Sequence, residues 1–104
     1  MKPPTHLHIA TRKWWKSVVD EYGLEEHHIK LLTLAAEAHD RCNDARQVIA
    51  DVGPYYENRF GEPRAHPAVA VERDSRVAFA RLMRELDLDG GPEPDPRVPR
   101  IPGR

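Results

Sequence analysis

Residues 31–52, LLTLAAEAHDRCNDARQVIADV, set the architecture. Within them Leu31, Ala35, Ala38, Cys42, Ala45, Ile49 and Val52 recur at alternating spacings of four and three, a heptad seam sustained over three repeats. Its middle positions are small, so a neighbouring helix can come close. Leu32, Ala36 and Val48 supply a second apolar face. Gly53-Pro54 terminates the pattern. Upstream, Glu25 and Glu26 suit a first turn, where carboxylates meet the positive end of the helix dipole. The spacing predicts one helix from near Glu25 to Val52.

Length adds a consequence. About 28 helical residues span roughly 42 Å, whereas a compact chain of about 100 residues is only about 34 Å across. Such a helix outreaches what its own small domain can wrap. The seam of Leu31, Ala35, Ala38, Cys42, Ala45 and Ile49 is therefore expected to serve, at least in part, as an oligomer interface.

A shorter helix is predicted before it. Thr11 is expected as the N-cap, RKWWKSVVDEY as the body, and Gly23 as the stop. Trp14, Val18 and Tyr22 fall on one stripe, with Trp15 and Val19 beside it. After Gly53, the aromatic residues around Arg59-Phe60-Gly61-Glu62 predict a short β-hairpin turning near Gly61, with Pro63 at an edge or in the turn. A third helix opens on Pro67 and runs to about Leu88, with Gly90 as its stop. Val71, Ser75, Ala78, Leu82 and Leu86 form its expected buried stripe, flanked by Phe79 and Met83.

The fold class is thus mainly α: three helices, one of them long and central, with a small β-hairpin before the last, assembling as an oligomeric ring. Of the 104 residues, 1–10 read as a flexible N-terminal arm and 11–90 as one helical domain. Residues 91–104 hold five of the ten prolines and read as a disordered Pro/Arg-rich tail. No apolar run approaches the roughly 20 residues of a membrane span, no start resembles a signal peptide, and Cys42 alone excludes an internal disulfide.

The net charge of −1 conceals an uneven distribution. Residues 1–19 hold Lys2, Arg12, Lys13 and Lys16 and no acid, whereas residues 20–51 hold eight acids against Lys30, Arg41 and Arg46. A basic arm on an acidic body suits an anionic partner at one end; an ordinary solvated terminus explains it equally well. Arg12, Lys13 and Lys16, interleaved with Trp14 and Trp15, carry the best nucleic-acid signal, because cations neutralise phosphates and aromatic rings pack their stems. The competing reading buries Trp14 in the core and leaves the cations as its solvated flank. Arg59 and Arg64 on the hairpin are further candidates.

Nothing in the chain reads as catalytic. His27 and His28 are adjacent and diverge by about 100° on a helix, His39 lies three turns away, and no HExxH or Cys/His set is present. No metal and no cofactor are expected. Carboxylate pairs such as Glu25/Glu26 sit at helix ends, where dipole effects account for them. No Gly-rich phosphate loop or nucleophile elbow occurs, so an enzyme is not expected. In the tail, Arg97, Val98, Arg100 and Ile101 have the make-up of a docking peptide.

In order, these pieces resemble the small subunit of phage terminases over nearly the whole chain. Pro4-Thr5-His6-Leu7 precedes a helix with a central tryptophan, RKWWKSVVDEYGL. The long helix LLTLAAEAHDRCNDARQVIADVG follows, and then Arg64, His66, Pro67 and Ala68 open a helix that closes on Arg84-Glu85-Leu86-Asp87-Leu88. That ending usually carries glycine where Asp87 stands. The resemblance implies a soluble, phage-encoded and non-catalytic component of the genome-packaging machine in the host cytoplasm. It would form a homo-oligomeric ring, bind double-stranded viral DNA, and recruit and regulate the large terminase subunit with its ATPase and nuclease. Lys2, Arg12, Lys13, Lys16, Arg59 and Arg64 would then be the DNA-binding set, and Arg97, Val98, Arg100 and Ile101 the tether to the large subunit. The rival is a small helical transcriptional regulator. It would need polar base-reading residues at the start of a recognition helix, and Pro67-Ala68-Val69-Ala70-Val71 is apolar.

Overall fold

A computed structural model describes residues 1–88 and contains three helices and one hairpin: α1 (Ile9–Tyr22), α2 (Glu26–Val52), β1 (Tyr55–Glu57), β2 (Pro63–Ala65) and α3 (Pro67–Leu86). The expected element order is the observed one. The tail residues Arg97, Val98, Arg100 and Ile101 lie outside the described residues.

Helix α2, 27 residues and so about 40 Å long, is the spine. Helix α3 runs antiparallel along it, as the pairings His39 with Phe79 and Cys42 with Glu72 show. The small seam makes this approach possible: Ala35, Ala38, Cys42 and Ala45 are all buried, and Ala68, Ser75 and Leu86 are the buried positions of α3. The middle of the seam is thus packed within the chain, under α3. Helix α3, 20 residues against 27, leaves Leu31 and Ile49 half-buried and Val52 exposed.

Helix α1 crosses the N-terminal half of α2. Trp15, Val18, Leu32, Ala36 and Leu86 form the main core with Leu7. The tryptophan roles are therefore the reverse of those expected. Trp15 is 2% exposed and its indole N–H donates to Thr33 Oγ1 at 3.1 Å, whereas Trp14 is half-buried at the edge and Tyr22 is exposed. Thr11 is not the N-cap. The helix begins one turn earlier, after His8, and Thr11 is buried inside it. Residues 1–10, expected as a loose arm, carry Leu7 into the core at 3% exposure.

Two left-handed residues close the outer helices. Gly23 (φ 56°) ends α1, and its N–H donates to Val19 O. At the end of α3 the same conformation falls on Asp87 (φ 50°, ψ 51°), whose N–H donates to Met83 O, so the helix stops before the expected Gly90. In the hairpin, Tyr55 pairs with Ala65 and Glu57 with Pro63. Asn58 Oδ1 accepts from the N–H groups of Phe60 and Glu62, and Gly61 takes φ 75°.

Candidate nucleic-acid interface

Arg12, Lys13 and Lys16 lie within two turns of α1 and, with Pro3 and Ile9, line one shallow groove of about 330 Å³. The stems of the cations and the apolar residues form its walls. Arg12 is half-buried, and its Nε is buried without a hydrogen-bond partner. Lys13 is exposed and forms no ion pair among the described residues. Lys16 reaches Asp20 one turn on at 3.3 Å, a solvated pair worth well under about 1 kcal/mol and easily exchanged for a phosphate. Lys2 is exposed at the start of the same segment.

Arg59 and Arg64 do not join this cluster. They sit on the hairpin beyond Val52, about 18 Å of helix past Asp40, where α1 is anchored. The Arg59 guanidinium lies 5.0 Å from the Phe60 ring centre, and Arg64 approaches Glu62 at 3.7 Å. Among the described residues, the six DNA-binding candidates therefore fall at two separate places.

Beside the groove, an acidic stripe of α2 holds the N-terminal segment. Asp40 accepts from the backbone N–H of His8 at 2.8 Å and from the Thr11 hydroxyl at 2.5 Å. His8 Nε2 lies 2.7 Å from Asp44, and His6 Nε2 2.7 Å from Glu37. The hydrogen bond to Asp44, assisted by the charge of Asp40, raises the His8 pKa above its ordinary 6.5. Sequence reading missed this latch. Its signal was present, since Glu37, Asp40 and Asp44 share one helical stripe and the two histidines stand two apart.

On the other side of α1, Trp14, His39 and Phe79 cluster, with ring centres 5.4–6.5 Å apart. With Ala10, Thr11 and Met83 they line an apolar cleft of about 360 Å³. Between α2 and α3, Glu72 bridges Arg46 at 3.2 Å and Arg76 at 3.1 Å, which holds its carboxyl below the usual range. Burial pushes the Cys42 thiol pKa up, away from reactivity.

These features describe a helical module that carries clusters of charge on its surface. The family profile "phage terminase, small subunit" matches residues 11–92, and the chain belongs to that family. No curated protein and no solved structure matches it. No helix among the described residues is long and apolar enough to cross a membrane.

Proposed function

We infer that the chain is the non-catalytic DNA-holding component of a phage packaging machine, acting as a ring of copies in the host cytoplasm. The observation that carries this reading is the convergence of Arg12, Lys13 and Lys16 on one groove, in a chain of the terminase small-subunit family. Around a ring the groove would recur and supply the positive surface that a chain of net charge −1 lacks. Contacts of this kind neutralise phosphates without reading bases. With the middle of the α2 seam covered by α3, contact between copies falls to the ends of the seam, Leu31, Ile49 and Val52, together with the exposed aliphatic residues Leu34 and Val48 on α2 and Val71 and Val77 on α3. A closed ring needs two different patches on each copy.

Recruitment of the large subunit is assigned to Arg97, Val98, Arg100 and Ile101, on their sequence alone. The regulator reading gains nothing from the fold: α3 lies along α2, with Ala68, Ser75 and Leu86 buried.

The test replaces Arg12, Lys13 and Lys16 with alanine and titrates duplex DNA at two salt concentrations. Affinity should fall, and the slope of log affinity against log salt should become shallower by about 0.9 for each phosphate that is no longer neutralised. Unchanged affinity and slope would move the interface to Arg59 and Arg64. Light scattering on the purified protein should give a closed assembly larger than a dimer; a monomer would overturn the ring.

A further inference from the structure

At the α1–α2 turn, Glu25, His27 and His28 bring three potential ligand atoms within 4.8 Å of one another. Neighbouring histidines on a helix diverge by about 100°, which in the sequence argues against a shared ion. Two features of the fold offset that divergence. His27 and His28 occupy the first turn of α2, and their rings lean together with centres 4.0 Å apart. Glu25 is outside the helix, an extended N-cap at φ −78° and ψ 167°. Its side chain makes no capping hydrogen bond and instead comes within 3.7 Å of His27 Nδ1.

We propose that Glu25, His27 and His28 form a binding site for a borderline divalent transition-metal ion, with zinc as the type. Two imidazoles and one carboxylate suit zinc and its neighbours, whereas magnesium and calcium demand oxygen donors. Tetrahedral zinc at about 2.0–2.1 Å from each donor places those donors about 3.3 Å apart, so side-chain rotation alone must close the gap. Glu25 and His27 are exposed and His28 half-buried, which leaves them free to rotate. The positive end of α2 opposes a cation here. Glu25 and Glu26 offset it, and Glu26 is held only by a 4.0 Å contact with Lys30.

Three protein donors leave a position open for water or a fourth ligand. Asp87 is the candidate, because it lines the same cleft as Glu25 and His28, together with Leu86 and Leu88. A metal ion bound there ties the α1–α2 turn to the end of α3. This site is independent of the DNA-binding groove.

The experiment uses the full chain, made without a polyhistidine tag, and titrates it with zinc chloride in a calorimeter at about pH 7.5. Cobalt(II) absorption provides a second readout. The expected result is one ion per chain, visible cobalt bands of a low-coordinate site, and a higher melting temperature with zinc. The double variant His27→Ala/His28→Ala loses all three. Glu25→Gln, which leaves both imidazoles in place, weakens binding by at least about tenfold, since even outer-shell partners are worth that much. His6→Ala/His8→Ala leaves binding unchanged. Binding that survives His27→Ala/His28→Ala, or a wild-type dissociation constant weaker than about 100 µM, overturns the site whatever the outcome for DNA.

Discussion

The Thr11 hydroxyl donates to the Asp40 carboxylate across 2.5 Å, and both residues are buried. Asp40 also accepts the His8 N–H, the donor at the N-cap of α1. One carboxylate of α2 thus fixes both the start and the first turn of α1. Removing it leaves a buried hydroxyl and a backbone N–H without partners. Hydrogen bonds to charged groups are worth about 1.5–3 kcal/mol, so Asp40→Ala should destabilise the fold by about 2–3 kcal/mol in urea unfolding. Thr11→Val, which keeps the volume, should cost about 1–2 kcal/mol for leaving the carboxylate one donor short.

The His8 latch has a pH signature. Its folded pKa is raised by Asp44 and Asp40, so the protonated form favours the folded state. The contribution is complete below the ordinary value of 6.5 and disappears as pH rises through the folded value. His6, Glu37 and Arg41 line the same cleft, so the comparison must be made within one background. Melting temperature against pH should fall more steeply above 6.5 in the wild type than in His8→Gln. Parallel curves would remove the latch from the stability of this end.

Ala38 is 4% exposed within the chain. Ala38→Leu should overpack the α2–α3 contact and cost about 1–3 kcal/mol. A lowered melting temperature with unchanged assembly mass is the expected outcome. A mass change without loss of stability would return this position to an interface between copies.

Asp87 holds a left-handed conformation that costs most non-glycine residues about 1–2 kcal/mol, with aspartate among the more tolerant. Asp87→Gly should therefore stabilise the protein by about 0.5–1 kcal/mol, part of the gain being offset by the freer unfolded chain. Asp87→Val should destabilise it. The denaturation midpoint checks both.

Element order and most boundaries were legible because they rest on periodicity and on residues with fixed backbone preferences. The α2 heptads, Gly23, Gly53, Gly61 and Pro67 all stand where read. What failed depended on partners distant in the chain. Thr11 has the chemistry of an N-cap, yet its hydroxyl is claimed by Asp40, 29 positions away. The middle of the seam is covered by α3 of the same chain, and spacing alone does not say which chain supplies the cover. Trp14 and Trp15 are one position apart, and only the angle at which α1 meets α2 selects which becomes core. At the site, the clustering of Arg12, Lys13 and Lys16 follows from a single helix and was readable. Their separation from Arg59 and Arg64 depends on the length of α2 beyond α1.

That overhang has a consequence for how the chain can be altered. The described links from α1 and its N-cap His8 to α2 end at Asp44, and those to α3 at Phe79. Past these points the two helices hold chiefly each other. Adding or removing seven residues in both helices shifts the paired faces by only about 20°, so the α1 anchor would remain undisturbed. The far end of the molecule is thus a ruler of adjustable length, able to set how far the hairpin stands from the basic groove without redesigning either.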